Sequence, residues 1–408
     1  MIFLMGLCGF GVFMLFSEGA KKHAPTVSIL ESAGDGVESS IQSLSRRHLS
    51  EMLARVVPNG KFPGKQFVVE NDDRLFQVVT TIQTKLQKHT ERLLRHSRTL
   101  QAAVVILDPT DGRILTMAGR DTNGGAENVS LRADFPAASL FKIVSAAAAL
   151  ESAGFTPDRP LHFIGGRHTL YKRQLKVQKG RYSRKTSFRR AFAVSNNSVF
   201  GKIGIHHLGR ETLSIYATRF LFNREIPFDL PLDVSSITIP EDEYGLAEIA
   251  SGFNKKTLIS PLHAGLLTAA VVNSGHMTAP WLVAAVLDES DRILYKGRRT
   301  LLYSPIGPQT ANQLKLLMQD TVRYGTCRTA FGKLRRMNLF KGFTFGAKTG
   351  TINDSKDRYK YDWLTAFVQP PDGKNSICIS VLAVHGRLLG TRATELARAL
   401  IHYYYATY

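Results

Sequence analysis

The chain has 408 residues, of which 44% are hydrophobic, so it can bury one large core or two ordinary ones, and a disordered chain is excluded. Its formal net charge of +20 suits nucleic acid, an anionic membrane surface or an acidic polymer, and does not choose among them. The three cysteines, Cys8, Cys327 and Cys378, are too few and too scattered for a disulfide framework or a zinc site, so we expect buried free thiols.

The N-terminal stretch is apolar and uncharged. Residues 2–16, IFLMGLCGFGVFMLF, precede a polar segment with Lys21 and Lys22, which predicts a membrane anchor or signal segment over residues 1–17. About twenty apolar residues span a bilayer comfortably, so this stretch is short, and we expect the true start to lie upstream. An uncleaved anchor is favoured over cleavage after Gly19. A lipoprotein modification of Cys8 is disfavoured, because Leu7 rather than a small residue precedes it.

A short stalk is expected over residues 18–68. It contains one amphipathic pattern, VESSIQSLSRRHLSEMLARVV at residues 37–57, which predicts a helix. The Gly- and Pro-bearing segment VPNGKFPGKQ follows and is typical of a linker. The remaining residues, 69–408, are predicted to form the main domain.

From residue 75 onwards, patterns typical of strands and helices follow one another closely. A strand is predicted at 75–82, a charged helix at 83–97, and a hairpin at 102–119 whose DPTDG supplies the turn. Helical patterns dominate residues 212–283. Three strands follow at 343–351, 362–370 and 375–386, and a helix at 392–408. We therefore predict an α+β domain whose antiparallel sheet is formed from its N- and C-terminal strands, with helices on both sides and a mostly helical inserted subdomain.

The stretch DFPAASLFKIVSAAAALE, residues 134–151, places one lysine in a helix that is otherwise apolar on all faces and should be buried. Desolvation lowers the pKa of a buried lysine, as a general base requires. Ser139 lies three residues before Lys142, on the same helical face and in the first turn, so the pair suits a nucleophile and its base. A lysine that extends to solvent from a helix start explains this motif alone equally well.

Two further motifs are weak singly. Ser195 and Asn197, in SNN, could relay a proton from Lys142 and hold both that lysine and a substrate amide, although SNN is also ordinary loop composition. Lys348, in GAKTGT, ends an alternating strand. Gly346 and Gly350 in that strand suggest close approach by another backbone, such as an added peptide strand, although an exposed hairpin lysine is the simpler interpretation.

Together, the order and spacing of SLFK, SNN and KTG resemble those of the penicillin-binding proteins and the wider family of serine penicillin-recognising enzymes. The resemblance extends over residues 75–408 and includes ILDPTDGRILTMAG, KIGIHHLGRETLSIYATRFLF, GFNKKTLISPLHAGLLTAAVVNSGHMTAPWLV and YGTCRTAF. It implies the transpeptidase domain of that family, in a small, monofunctional, class B-like form. About fifty residues between anchor and domain leave no room for a glycosyltransferase domain.

The resemblance implies a role for each motif. Ser139 would be the acylated nucleophile and Lys142 its base, while Ser195 and Asn197 would complete proton transfer and substrate placement. The carboxylate of a D-alanyl-D-alanine stem peptide would be bound by the substrate-binding segment Lys348, Thr349, Gly350 and Thr351. Backbone N–H groups of Ser139 and Thr351 would form the oxyanion hole.

The implied activity is peptidoglycan D,D-transpeptidation, inhibited by β-lactams and needing no metal or cofactor. Stem peptides, β-lactams, the membrane and a glycan-polymerising membrane protein are the expected partners. The chain is expected in the cytoplasmic membrane as a single-pass protein, with its catalytic domain outside. A D,D-carboxypeptidase and a penicillin-binding sensor domain stay open, and a β-lactamase is disfavoured because no extra carboxylate motif stands out.

Two details depart from the family pattern, and a third concerns the origin of the positive net charge. Cys327 follows Gly-Thr where the family commonly has a small residue, so it would crowd the loop or place a thiol near the cleft. The insertion INDSKDRYKYD, residues 352–362, would line the cleft or form a solvated loop. The basic tract at 167–190 interleaves aromatic residues as a nucleic-acid binder does, but an exported protein meets little nucleic acid, so anionic lipid or plain solvent is the expected contact.

Overall fold

The computed structural model describes residues 44–57, 64–125, 128–176 and 183–408. The predicted anchor, Cys8, most of the stalk and residues 177–182 of the basic tract lie outside them. Among the described residues, no helix is both long and apolar enough to cross a bilayer.

The helices, in chain order, are α1 (Arg46–Val56), α2 (Thr84–His96), α3 (Lys142–Glu151), α4 (Lys172–Leu175), α5 (Phe188–Ala193), α6 (Asn197–Ile203), α7 (Gly209–Arg219), α8 (Glu243–Ser251), α9 (Pro261–Val272), α10 (Pro308–Arg323), α11 (Arg328–Arg335) and α12 (Ala393–Thr407). The 3₁₀ turns are Ala138–Phe141 and Asn338–Phe340, and Gly204–Leu208 forms a π-helical turn.

The strands are β1 (Gln66–Asn71), β2 (Arg74–Thr80), β3 (Gln101–Leu107), β4 (Ile114–Asp121), β5 (Phe135–Pro136), β6 (Pro160–Phe163), β7 (Arg184–Ser187), β8 (Leu258–Ile259), β9 (Met277–Thr278), β10 (Val283–Leu287), β11 (Ile293–Lys296), β12 (Leu301–Tyr303), β13 (Thr344–Asn353), β14 (Lys360–Gln369) and β15 (Ile377–His385).

The central sheet has five antiparallel strands in the order β13-β14-β15-β3-β4. Strands from the two ends of the domain meet where β15 pairs with β3, which confirms the predicted sheet. Every residue of β15 is buried, because both faces are covered. Helices α9 and α10 pack on one face, and α2, α11 and α12 on the other. This confirms the predicted α+β class.

Between β4 and β10 the chain is mostly helical, as predicted, with short paired strands β5/β8 and β6/β7. Helix α3 passes through the core, and its residues 142–150 are all buried. Four successive alanines give it high helix propensity and a narrow surface that neighbours can approach closely.

A second antiparallel sheet, β1-β2-β10-β11, lies beside the first. Helix α1 begins at Ser45, whose side chain accepts from His48 N, and buries Leu49 and Leu53 in the same hydrophobic cluster as α3. The predicted boundary between stalk and main domain, at residues 68 and 69, falls inside β1. The division into anchor, stalk and main domain stays a prediction.

Candidate active site

Ser139 and Lys142 lie side by side at the start of the central helix. Ser139 belongs to the 3₁₀ turn Ala138–Phe141, and Lys142 is the first residue of α3. The predicted first helical turn at Ser139 is therefore a 3₁₀ turn that leads into the α-helix. Lys142 Nζ lies 2.8 Å from Ser139 Oγ, and the lysine is completely buried.

The surroundings of Lys142 suit an uncharged amine. Its Nζ donates to Asn197 Oδ1 at 2.7 Å and to the carbonyl oxygen of Ser251, at the end of α8. Both oxygens can only accept, so a neutral amine uses its two hydrogens on them. In that neutral form the lone pair faces Ser139 Oγ, 2.8 Å away, so the hydroxyl can donate its hydrogen to Nζ, whereas an ammonium form would donate to Ser139 instead. This is the arrangement of a general base beside its nucleophile.

Burial sets the protonation of this amine. The pKa of Lys142 lies well below the ordinary value for lysine, mainly because burial removes water from the ammonium form and also because the charge of Lys348 is near. Within the described part of the chain, no carboxylate hydrogen-bonds to Lys142 to restore its charge.

Lys348 and Ser195 form a second buried pair. Lys348 Nζ donates to Ser195 Oγ at 3.0 Å and to the Thr349 carbonyl oxygen at 2.8 Å. Burial lowers the pKa of Lys348 to about 7. Ser195 adopts the left-handed region with φ +55°, just after α5 ends, and this conformation turns its hydroxyl towards β13. The structure therefore joins Ser195 to Lys348, not to Lys142 as its expected relay role implied.

Asn197, the first residue of α6, is fixed from both ends of its amide. Its Oδ1 accepts from Lys142, and its Nδ2 donates to the His168 carbonyl oxygen at 2.9 Å. Its backbone N–H donates to the Arg167 carbonyl oxygen at 2.7 Å. The Nδ2 atom carries two hydrogens. One of them is donated within the protein, and the other is left for the expected contact with a substrate amide.

Strand β13, which carries the KTG motif, packs against the 3₁₀ turn Ala138–Phe141, here called the nucleophile turn. A Cβ placed on Gly350 would lie 3.3 Å from Ser139 N and 3.4 Å from the Ala137 carbonyl oxygen, so the predicted close approach of another backbone is confirmed at Gly350. At Gly346 the neighbours are the Phe367 ring and the Met318 side chain, so the prediction is wrong there.

Ala138 is held on its other side by Gly252, which follows α8. A Cβ on Gly252 would lie 2.0 Å from the Ala138 carbonyl oxygen. Ala138 itself has φ +49°, a conformation that costs a non-glycine residue about 1–2 kcal/mol. The nucleophile turn is therefore compressed between β13 and the end of α8.

The two threonines of the strand have different partners. The Oγ1 atoms of Thr349 and Thr326 lie 2.6 Å apart, so one of these hydroxyls donates a hydrogen bond to the other. Thr351 Oγ1 donates to Asp362 Oδ1 at 3.4 Å. Strand β13 pairs with β14 on one side and with no described strand on the other. Its unpaired edge adjoins the nucleophile turn.

Cys327 is fully buried beneath this edge, and burial raises the pKa of its thiol to about 12. It packs in the hydrophobic cluster on the α11 and α12 side of the sheet, near enough to Lys348 for their charges to interact, so the thiol lies close to the site but is buried. Cys327 and Cys378 are free and buried, as predicted. The insertion at 352–362 extends the β13–β14 hairpin, and its turn is largely exposed.

Sequence reasoning placed all eight site residues in one region but missed four neighbours. The Ser251 carbonyl oxygen, His168, Thr326 and Asp362 were not singled out. His168 is near enough for the charges of Lys142 and Lys348 to help lower its pKa, after burial and Arg167. Gly252, next to Ser251, was the available signal, because a glycine at a helix end commonly takes a left-handed conformation.

The chain matches one protein family over most of its length. The family described as "Penicillin binding protein transpeptidase domain" matches residues 102–402. Penicillin-binding protein 1A of Neisseria lactamica is 28% identical over 272 residues, covering 64% of this chain and 30% of that protein. Peptidoglycan D,D-transpeptidase PbpA of Mycobacterium tuberculosis is 24% identical over 383 residues, covering 82% of this chain and 74% of that protein. The chain thus spans about a third of the length of the first of these relatives.

Solved structures share the fold. The D,D-transpeptidase domain of a peptidoglycan glycosyltransferase from Eggerthella lenta superposes with a TM-score of 0.65 at 20% identity, covering 81% of this chain and 82% of that one. Penicillin-binding protein A of M. tuberculosis, as an imipenem acyl-enzyme complex, gives 0.66 at 23% identity, covering 80% and 78%.

Proposed function

The chain belongs to the penicillin-binding protein transpeptidase family, and from that premise we propose that it is a peptidoglycan D,D-transpeptidase that works through an acyl-enzyme on Ser139. The observation that carries the proposal is the 2.8 Å contact between Ser139 Oγ and the amine of a fully buried Lys142, whose pKa lies well below its ordinary value. Such an amine can take the hydroxyl proton as the oxygen attacks.

In the first half-reaction, Ser139 Oγ attacks the carbonyl carbon of the penultimate D-alanine while its proton passes to Lys142. The oxyanion accepts from the backbone N–H groups of Ser139 and Thr351. Gly350 supports this role. Because it has no side chain, β13 can lie close to the backbone nitrogen of Ser139. The tetrahedral intermediate collapses when the C–N bond breaks.

The leaving nitrogen of the terminal D-alanine needs a proton. We assign its delivery to the Ser195 hydroxyl, which is reprotonated by Lys348, because Lys348 Nζ donates to Ser195 Oγ and has a pKa of about 7. In the second half-reaction, the amine of another stem peptide attacks the ester carbon, and the protons return along the same groups. Ser139 is thereby regenerated and a new amide bond is formed.

The edge of β13 is the proposed substrate platform. A stem peptide would pair there as an added strand, with its C-terminal carboxylate near Lys348, Thr349 and Thr351. A charged Lys348 and the shared Thr349 hydroxyl favour an anion at this place. β-Lactams would occupy the same edge and acylate the same serine. Imipenem forms an acyl-enzyme complex with penicillin-binding protein A of M. tuberculosis.

The setting of this reaction is also a proposal. Peptidoglycan lies outside the cytoplasmic membrane, and the apolar stretch at residues 2–16 supports a membrane anchor with the domain on the outer side. A membrane partner that polymerises glycan strands would supply them.

Labelling with fluorescent penicillin tests the acyl-enzyme. The unsubstituted chain should acquire a stable label, and Ser139→Ala should acquire none. Ser145→Ala is the matched control, because Ser145 is buried in α3, six residues further along the chain, and its hydroxyl donates to the Phe141 carbonyl oxygen. Equal labelling of Ser139→Ala would refute the nucleophile, and rapid loss of label would indicate a β-lactamase.

Product analysis then separates transfer from hydrolysis. The chain is incubated with a stem pentapeptide and a D-amino acid as acceptor amine. Exchange of the terminal D-alanine for the added D-amino acid supports transpeptidation, whereas tetrapeptide alone would identify a carboxypeptidase. A chain that labels but releases no D-alanine would be a sensor.

A further inference from the structure

Asp362 lies directly behind the proposed carboxylate site. It faces Thr351 across the β13–β14 pairing, and its side chain is 14% exposed. Thr351 Oγ1 donates to Asp362 Oδ1 at 3.4 Å, and the backbone N–H of Ala393, the first residue of α12, donates to Oδ2 at 3.0 Å. The carboxylate is therefore fixed by the sheet on one side and by a helix start on the other.

A buried histidine ring lies near the same carboxylate. His385 Nδ1 accepts from the Gly390 N–H at 3.1 Å, so the ring hydrogen must lie on Nε2. That Nε2 atom is buried, has no hydrogen-bond partner among the described residues, and lies 3.7 Å from Asp362 Oδ2. Two hydrogen-bond donors and this nearby N–H group thus surround one carboxylate, as expected for a group whose orientation matters.

Two consequences for the strand edge follow. The hydroxyl hydrogen of Thr351 is directed at Asp362, so it is not free to bind a substrate carboxylate. A negative charge also lies one strand spacing behind the edge where that carboxylate would bind, and like charges repel.

We propose that Asp362 is a positioning and specificity residue: through Thr351 and through its own charge it weakens binding of anionic C-termini and anionic β-lactams at the β13 edge. This rests on the proposed function, because that function places the carboxylate there. For unit charges roughly 6 Å apart, in a medium between water and a protein surface, the expected effect on affinity is about 3- to 10-fold.

Binding without acylation gives the test. In the full chain with Ser139→Ala, calorimetry measures Kd for benzylpenicillin and for its uncharged methyl ester. Adding Asp362→Asn should lower the Kd for benzylpenicillin about 3- to 10-fold and leave that for the ester within about twofold. Asp362→Glu keeps the charge and should keep benzylpenicillin binding weak.

Asp372→Asn is the matched control, because it removes one carboxylate from the exposed β14–β15 turn and should change neither Kd. An unchanged Kd for benzylpenicillin, equal shifts for both ligands, or binding of neither ligand in any variant would overturn the proposal. Penicillin labelling of the unsubstituted chain judges the proposed function separately: a charge-selective shift without labelling would support Asp362 and refute the acyl-enzyme.

Discussion

Gly252 is the position at which one added carbon should disable the site. Its φ is +62°, and a Cβ there would lie 2.0 Å from the Ala138 carbonyl oxygen, 2.6 Å from its carbonyl carbon and 3.1 Å from Ser139 Cα. Real Cβ contacts essentially never fall below 3.0 Å, so one of the two backbones must move by about 1 Å. All of these neighbours are backbone atoms, and no side-chain rotation relieves the contact.

The expected cost falls on catalysis more than on stability. A misplacement of 1 Å at reacting groups reduces rates by about 100-fold. The same movement displaces the neighbouring Ser251 carbonyl oxygen, which accepts from Lys142. Gly252→Ala should therefore lower the second-order rate constant of penicillin acylation about 100-fold. The unfolding free energy should fall by about 1–3 kcal/mol through backbone strain and overpacking.

Gly154 provides the matched control, because its φ is also +62° and no atom lies within 4 Å of its hypothetical Cβ. Gly154→Ala carries the backbone strain without the collision. Stopped-flow acylation and urea unfolding of both variants separate the two effects. Equal acylation rates in Gly252→Ala and Gly154→Ala would refute the claim that the compressed turn sets the geometry of Ser139.

The remaining predictions concern buried groups. Lys142→Met should reduce acylation about 1,000-fold and yet raise the urea midpoint, because the buried amine is replaced by an apolar side chain of similar length; a lower midpoint would contradict this account of its burial. In the unsubstituted chain, acylation should fall as pH drops through the lowered pKa of Lys142, since only the neutral amine accepts a proton, and a rate independent of pH would refute its role as the base. Lys348 has a pKa of about 7 when folded against 10.5 ordinarily, so the unfolded chain binds more protons between these values and stability should rise with pH across that window. Lys348→Met should flatten this rise, which amounts to at most about 5 kcal/mol, in denaturation series from pH 7 to 10. Cys327 should resist thiol reagents in the native chain and react after urea unfolding, as peptide mapping would detect; protection that depends on bound penicillin would contradict its burial in the core.

The central sheet and the Ser139–Lys142 pair could be predicted from the sequence because both leave local signals. Strands β13, β14 and β15 alternate or are continuously apolar, and the apolar surroundings of Lys142 required a buried helix. Those signals depend on residue type and spacing alone.

The remaining contacts depend on geometry that residue identity does not encode. The Ser251 oxygen is a backbone atom, which every residue has, so the neighbouring Gly252 indicates a helix end there but not a contact with Lys142. The pairing of Ser195 with Lys348 depends on a left-handed φ at a serine, and the link from Thr351 to Asp362 depends on strand register. Each of these arises only when distant segments pack.

The pairing of β15 with β3, in which Val104 faces Val381, also determines when the protein can become active. Contacts between such distant parts of a chain form slowly and late in folding. During synthesis, the nucleophile segment emerges long before β13 and β15 exist to support it. A chain released before its last three strands would hold Ser139 without Lys348, so activity is expected to begin only after the C-terminal end has been synthesised.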